Sequence, residues 1–439
     1  MSFLVGVLVL VVGLMLSIAL HEVGHLLPAK RFGVKVSQYF VGFGKTLWSV
    51  RRGETEYGVK AVPLGGYVRM VGMYAPARAG TPVRRKPSGR ATLVEEAREY
   101  SQAEVLPGEE DRTFYALSVP KKLVVMLGGP VMNLLIAVVL IAVILVGFGT
   151  PAFTSTLGNV QECLETEDGT GLEAGCPAGS SAPGAGAGLL AGDTVLSWNG
   201  VPTQDWDDVR AAIADAGTGA VPVVVERDGQ RVPLTVSAAM VERPVVDDGE
   251  VRLDSAGEPV TAPAPFVGIG PTAALVRQSP AEVPGYAWDA VVATGRVVLT
   301  LPQRLVDVAQ AAFGEEERDP GVVGLVGVGR FAGEIASLEG ADYGLAERTA
   351  DMLGLLASLN LALFMFNLIP LLPLDGGHVA GALWEGLRRR LARLRGRPDP
   401  GPVDVARALP LTYVVVVAML GMSLLLAYAD IVRPVTLTG

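Results

Sequence analysis

Charged side chains are scarce in this sequence of 439 residues. Asp, Glu, Lys and Arg make up 18% of it, hydrophobic residues make up 50%, and the mean hydropathy is +0.41. This balance argues against a large water-soluble protein and indicates a membrane protein. The net charge of −9 and the lack of a basic patch with interleaved aromatic residues argue against a nucleic-acid partner.

Cysteine is almost absent as well. The chain contains only Cys163 and Cys176, which lie in one short segment. They form a disulfide if that segment lies outside the cytoplasm, and the alternative is two unrelated thiols.

Histidine is the third rare residue, and two of the three histidines form one motif. His21 and His25 enclose Glu22 in His-Glu-x-x-His, at the end of an uncharged run of twenty residues. On a helix the two imidazoles lie one turn apart on the same face and can bind one metal ion, while Glu22 lies beside them as a general base. The alternative is a pair of buried histidines that hydrogen-bond to each other.

Four apolar stretches predict a polytopic α-helical membrane protein. They cover residues 2–28, 121–148, 350–374 and 406–429. The first stretch has no basic start and no Ala-x-Ala-like site, so it is a membrane span and not a signal peptide.

The basic residues predict the topology. They cluster in 30–122 and again in 379–404, so both segments are cytoplasmic by the positive-inside rule. Both termini and residues 151–348 then lie outside the cytoplasm, in a multi-pass protein of the bilayer.

The segments between the spans have distinct patterns. Residues 34–75 alternate and contain glycines, including Gly65 and Gly66, which predicts a membrane-associated β-region; residues 76–118 combine Pro, Gly and dense charge, which predicts a flexible cytoplasmic insert. Residues 156–240 read as a small β-rich domain with a hairpin turn at Asp228-Gly229. Residues 241–348 read as a linker followed by amphipathic helices.

The topology brings a third metal ligand to the histidines. The first and third spans both run from outside to inside, so His21, His25 and Asp375 fall at one membrane depth. Two imidazoles, a carboxylate and a water form a tetrahedral set that suits one Zn²⁺ ion. A carboxylate that only caps the next helix is the alternative for Asp375, and His378 is expected to support the ligands without binding the metal.

Three asparagines in the spans are candidates for substrate binding. Asn133, Asn360 and Asn367 are polar groups in apolar helices, where each needs a partner. Hydrogen bonding to an extended substrate or to an oxyanion is one interpretation. Ordinary hydrogen bonding between helices is the other, and for Asn360 it is equally plausible.

These motifs together resemble the site-2 protease family. The motifs are His-Glu-x-x-His in the first span, Gly-x-Pro-x-x-Asn at Gly128–Asn133, and Asn-x-x-Pro-x-x-Pro-Leu-Asp-Gly-Gly at Asn367–Gly377. The bacterial regulator of sigma-E type is the closest match, and the resemblance covers nearly the whole chain. It implies an intramembrane zinc metalloprotease with ligands His21, His25 and Asp375 and the general base Glu22.

The resemblance also implies partners and domains. The family cuts single-span membrane proteins, such as anti-sigma factors, after an upstream site-1 protease has trimmed them. Residues 156–240, which contain Gly192-Asp193, resemble a PDZ domain, and the β-region at 34–75, with Gly65 and Gly66, resembles the element that presents substrate. Localisation in the bacterial plasma membrane follows from the same resemblance.

Two features depart from the family pattern. Only one PDZ-like domain is found, as in actinobacterial members, and Gly321-Val322-Val323-Gly324 stands where members often have Gly-Pro-Val-Gly. A catalytically silent scaffold with a partner-binding PDZ domain is a competing interpretation, although no motif residue is missing. A metalloprotease with a glutamate ligand in a cytosolic domain is another.

Overall fold

The fold is that of a computed structural model, which describes residues 2–76, 92–163, 181–247, 250–253, 258–314, 318, 321–338 and 343–436. The chain divides into two compact units. One contains Met1–Phe148 and Gln278–Gly439, and the other contains Gly149–Arg277.

The first unit begins with an apolar helix and a pleated sheet. The strands pair antiparallel, and residues 38–41 lie between residues 66–69 on one side and 56–59 on the other. Tyr39 donates a hydrogen bond of 2.8 Å to the carbonyl of Ala19, which holds the sheet against the first helix. The elements are α1 (Ser2–Arg31), β1 (Val36–Arg52), β2 (Thr55–Met70), α2 (Leu93–Ala103) and α3 (Val119–Ala142), which continues as a π-helix over Val143–Phe148.

The predicted flexible insert at 76–118 is partly helical, which corrects that expectation for residues 92–118. Arg98 of α2 is buried and pairs with Glu95 at 2.7 Å and with Asp404, a residue more than three hundred positions away. The charges that suggested a solvated segment are therefore used in ion pairs that order it. Residues 77–91 lie outside the described part of the chain.

Within its described residues, the second unit contains one main sheet, two small two-stranded sheets and one helix of several turns. Its main sheet has the order β12 (Ile269–Val276), β3 (Thr150–Val160), β4 (Thr194–Trp198), β6 (Val221–Arg227) and β7 (Gln230–Val236), with β5 (Val201–Pro202) beside β4. Its core contains Leu157, Trp198, Val209 and Val225. Asp228 and Gly229 have positive φ values of 52° and 77°, as a tight hairpin turn between β6 and β7 requires. The elements are β3 (Thr150–Val160), α4 (Pro183–Gly186), β4 (Thr194–Trp198), β5 (Val201–Pro202), α5 (Trp206–Ala216), β6 (Val221–Arg227), β7 (Gln230–Val236), β8 (Ala239–Pro244), β9 (Val246–Asp247), β10 (Glu250–Val251), β11 (Thr261–Phe266) and β12 (Ile269–Val276).

The first unit resumes with five α-helices among the described residues. These are α6 (Val283–Phe313), α7 (Leu325–Ser337), α8 (Leu345–Phe366), α9 (Asp375–Leu394) and α10 (Leu409–Val432). The glycine-valine run at 321–329 leads into α7 and supplies backbone amides to a buried carboxylate. Asp430 of α10 accepts hydrogen bonds from the amides of Gly324 and Gly327 and pairs with Arg318 at 2.5 Å, so it caps α7.

Four helices among the described residues are long and apolar enough to cross a membrane, as predicted. They are Ser2–Arg31, Val119–Phe148, Leu345–Phe366 and Val405–Val432. The third ends earlier than the predicted stretch 350–374, because the chain leaves the helix after Phe366 and reaches α9 through residues 367–374. That irregular segment is where the candidate site forms.

Candidate metal centre between the apolar helices

The site depends on a close crossing of α1 and α3 at glycine residues. A Cβ on Gly24 would lie 2.2 Å from the carbonyl oxygen of Gly128, and a Cβ on Gly128 would lie 2.0 Å from that of Gly24. Any side chain at these two positions would separate the helices. A Cβ on neighbouring Gly129 would lie 2.2 Å from Nε2 of His25, so this glycine makes room for the histidine rings.

The backbone of α3 also fixes the orientation of His25. Nδ1 of His25 lies 2.8 Å from the carbonyl oxygen of Val125. A carbonyl oxygen only accepts hydrogen bonds, so Nδ1 carries the proton and Nε2 of the neutral ring presents a lone pair. The buried ring therefore directs a ligand atom towards His21 and Asp375.

Asp375 reaches the histidines because the chain folds back on itself after α8. It is the first residue of α9, and a Cβ on Gly376 would lie 2.2 Å from the carbonyl oxygen of Ile369. Further along α9, buried Glu385 pairs with buried Lys122 of α3 at 2.8 Å. The glycine allows the fold-back, and the ion pair holds α9 against the helix that orients His25.

The three donor atoms form a nearly equilateral triangle. Nε2 of His21 and Nε2 of His25 are 3.3 Å apart, and they lie 3.4 Å and 3.2 Å from Oδ2 of Asp375. Bonds of about 2.0–2.1 Å in a tetrahedral metal site place neighbouring ligands about 3.3–3.4 Å apart. The residues present therefore fit a tetrahedral metal ion with three protein ligands.

The hydrogen bonding of the cluster supports the same conclusion. Oδ2 of Asp375 is buried and has no hydrogen-bond partner within the described residues. It faces the lone pair on Nε2 of His25, and two acceptors at 3.2 Å repel each other unless a cation lies between them. A pair of mutually satisfied histidines does not account for this arrangement, and neither does a carboxylate that only caps α9.

A carboxylate must be ionised to bind a metal ion, and an imidazole that binds beside it must be unprotonated at the ligating nitrogen. The position of Asp375 in the first turn of α9 favours the anion.

Glu22 lies between the cluster and the sheet. It is 9% exposed, and a Cβ on Gly66 of β2 would lie 2.9 Å from its Cγ. The backbone amide of Val68 faces its carboxylate. The strand segment that contains Gly65 and Gly66 therefore runs directly beside the predicted general base.

The structure places the three asparagines that were predicted to bind substrate in different surroundings. Asn133 lies one turn beyond Gly129, is fully buried, and has no partner for either amide atom within the described residues. Asn360 donates to Oγ of Ser17 at 3.0 Å, a bond between α8 and α1, and its Oδ1 has no partner within that same part. Asn367 is the C-terminal cap residue of α8.

His378 and the cysteines complete the set of predictions. His378 is one turn along α9 from Asp375 but outside the group of possible ligands that the structure brings together, His21, His25 and Asp375. Its role in supporting the ligands stays a prediction. Cys163 is disulfide-bonded, and its predicted partner Cys176 lies outside the described residues.

Three contributors to the site were not identified from the sequence. They are the ring clearance at Gly129, the Val125 carbonyl and the Lys122–Glu385 pair. The Gly128-Gly129 doublet indicated close packing without naming the partner. Nothing in the sequence distinguishes Lys122 from the other basic residues near the span.

The fold and the site define a membrane-spanning metallopeptidase. A family model described as Peptidase family M50 matches residues 9–398. The chain belongs to peptidase family M50, the site-2 protease family, and the predicted resemblance is confirmed. The enzyme interpretation is therefore the correct one.

Individual relatives agree with this membership. The zinc metalloprotease Rip1 of Mycobacterium tuberculosis (strain H37Rv) is 36% identical over 446 residues, covering 100% of both chains. Rip1 of Mycolicibacterium smegmatis is 31% identical over 453 residues with the same coverage. The metalloprotease MmpA of Caulobacter vibrioides is 28% identical over 401 residues, covering 89% of this chain and 90% of the relative.

The crowding at Gly129 gives a direct test of the metal centre. We expect Gly129→Ala to reduce the metal bound per chain at least tenfold, because the new methyl group displaces the His25 ring. The measurement is elemental analysis of Zn²⁺ after equilibrium dialysis. The control is Gly147→Ala, since no atom lies within 4 Å of a Cβ there. Equal metal content in the two variants would contradict the observed packing.

Proposed function

We propose that the protein is an intramembrane zinc endopeptidase in which His21, His25 and Asp375 hold the metal and Glu22 is the general base. The observation that carries this proposal is the triangle of donor atoms with sides of 3.2–3.4 Å. It lies between helices long and apolar enough to span a membrane. The relatives named zinc metalloprotease support the choice of zinc.

The chain's own residues account for binding, orientation and proton transfer. When bound, zinc supplies Lewis-acid chemistry, which polarises a carbonyl group and acidifies a water molecule. Val125 holds His25 in the tautomer that leaves Nε2 free as a ligand. Glu22 accepts the proton of the attacking water and delivers it to the nitrogen of the leaving amine.

The sheet beside Glu22 accounts for substrate presentation. A transmembrane helix hides its peptide bonds in its own hydrogen bonds, so the substrate must unwind before cleavage. We propose that the unwound segment adds as a strand to the sheet near Gly65 and Gly66, where Gly66 lies against Glu22. The absence of side chains at both positions allows a second backbone to approach closely.

The substrate class and the topology belong to the same proposal. We propose that the enzyme cleaves single-span membrane proteins, such as anti-sigma factors, after a site-1 protease has cut them. The basic segments 30–122 and 379–404 support a cytoplasmic position for the site. The termini and residues 151–348 then lie outside the cytoplasm of a bacterial plasma membrane, a topology that labelling of single cysteines from either side would test.

Residues 156–240 are proposed to form a PDZ-like domain that excludes untrimmed substrates. A small sheet with α5 against it and a tight β6–β7 hairpin supports this assignment. We expect a chain with residues 156–240 replaced by a short linker to cleave an untrimmed substrate. Loss of cleavage of the trimmed substrate instead would indicate that the domain binds a new C-terminus.

Substitution of the base and of the acidic ligand separates their two roles. We expect Glu22→Gln to keep its zinc and to lower the cleavage rate by about 10²–10⁴-fold, because only proton transfer is lost. We expect Asp375→Ala to lose zinc. The measurements are elemental analysis and cleavage of a single-span substrate in proteoliposomes.

Exposed carboxylates provide the matched controls. Glu99→Gln and Asp289→Ala change the same groups at exposed positions and should leave zinc content and cleavage unchanged. Persistent cleavage in Glu22→Gln would refute the mechanism, and full zinc in Asp375→Ala would refute the ligand set.

The amide of Asn133, which has no partner among the described residues, predicts a contact with substrate. We expect Asn133→Ala to lower kcat/KM about tenfold or more while zinc content stays constant, because a buried amide without a protein partner is free to bind the substrate backbone. Asn360→Ala is the comparison, since its amide already bonds to Ser17 and its loss should lower thermal stability. Unchanged kcat/KM in Asn133→Ala would leave only a packing role.

A further inference from the structure

The helix that begins at Asp375 presents an exposed apolar stripe. At 100° per residue, five large side chains of α9 fall within one quadrant or so of the helix circumference. Between 37% and 75% of their surface is exposed. The stripe, as we use the term, consists of Leu383, Trp384, Leu387, Leu391 and Leu394.

The opposite side of α9 packs against the rest of the protein. Ala382 and Glu385 are buried, and Glu385 binds Lys122 at 2.8 Å and the backbone amide of Val403 at 3.0 Å. These contacts fix the rotation of α9 about its axis. The stripe therefore points away from α3.

Six arginines flank the stripe, in a segment without acidic residues. No acidic residue occurs between Gly386 and Pro398. Arg389 is used inside the protein, where it pairs with Glu385 at 3.0 Å, whereas Arg390 and Arg393 are exposed. The full series is Arg388, Arg389, Arg390, Arg393, Arg395 and Arg397.

A cavity of about 430 Å³ adjoins the stripe. It lies between α9 and the start of α10 and is lined in part by Ala380, Trp384, Val405 and Leu411. Asp404 and Arg407 also line it, and they pair with each other at 3.0 Å. The apolar part of the lining has the character of a site for one acyl chain.

We propose that α9 is an interfacial helix that binds anionic phospholipids, with its leucine stripe in the acyl boundary and Arg390 and Arg393 on the headgroups. Charge complementarity identifies the occupant, because an apolar stripe flanked by arginines is the pattern of helices that bind anionic membrane surfaces. Chain continuity supports it: α9 is joined to one candidate span that ends at Phe366 and to another that begins at Val405.

The position of α9 gives this contact a consequence for the metal centre. Asp375 is its first residue, so lipid binding along the helix restrains the segment that carries the acidic ligand. This consequence rests on the proposed function. The lipid contact itself is measured without metal or substrate, so its failure would leave the peptidase assignment untouched.

The lipid preference of the full chain tests the proposal. Purified protein in detergent is mixed with equal amounts of phosphatidylglycerol and phosphatidylcholine, and native mass spectrometry counts the lipids retained. We expect the wild type to retain phosphatidylglycerol, and Arg390→Gln with Arg393→Gln to lower that affinity roughly 30-fold, since each surface arginine contributes about fivefold. Added salt should also weaken retention.

Matched variants distinguish a lipid contact on α9 from general charge attraction and from a protein contact. Arg51→Gln with Arg52→Gln removes the same charge from exposed positions of β1 and should leave the preference unchanged. In nanodiscs, brominated phosphatidylglycerol should quench wild-type fluorescence more than that of Trp384→Phe. Equal lipid affinity in the two double variants, equal quenching with and without Trp384, or a dimer lost on Leu387→Ser with Leu391→Ser would overturn the proposal.

Discussion

The close contact between α1 and α3 is the constraint on which the site depends. Backbone meets backbone at Gly24 and Gly128, and either methyl group would have to occupy space within about 2.2 Å of a carbonyl oxygen. In a membrane, helices associate through such packing, because lipid tails are as apolar as the helices and supply no hydrophobic driving force. The crossing also places the Val125 carbonyl at His25, so one contact both joins the helices and orients a proposed ligand.

Buried polar contacts connect the other helices. Lys122 and Glu385 connect α3 to α9, and Asp430 connects α10 to the start of α7. Breaking such a buried pair from one side costs about 3–5 kcal/mol, because the remaining charge is uncompensated. These connections hold the elements around a cluster of His21, His25 and Asp375, whose own polar atoms are left facing one another. Within the described residues, Oδ2 of Asp375 is one of the buried polar atoms without a hydrogen-bond partner, and it lies where a metal ion fits.

Much of this organisation could be predicted from the sequence because it depends on local pattern. Long apolar runs identify the four helices, and His-Glu-x-x-His identifies half of the metal centre at once. The tight turn at Asp228-Gly229 is predictable for the same reason, since its backbone conformation is set by two residues. The packing of residues 92–118 is not, because contacts such as the pair between Arg98 and Asp404 join residues that no local pattern relates.

The sequence by itself determined which residues are able to bind a metal and that they lie in an apolar, membrane-spanning chain. Matching the depths of two spans even indicated Asp375 as the partner of His21 and His25. Only the tertiary structure decided how these atoms meet: the fold-back over Gly376, the ring clearance at Gly129 and the 3.2–3.4 Å spacing of the donors. The physical reason is that helix type and burial follow from composition along the chain, whereas ångström-scale placement depends on contacts between residues that are hundreds of positions apart.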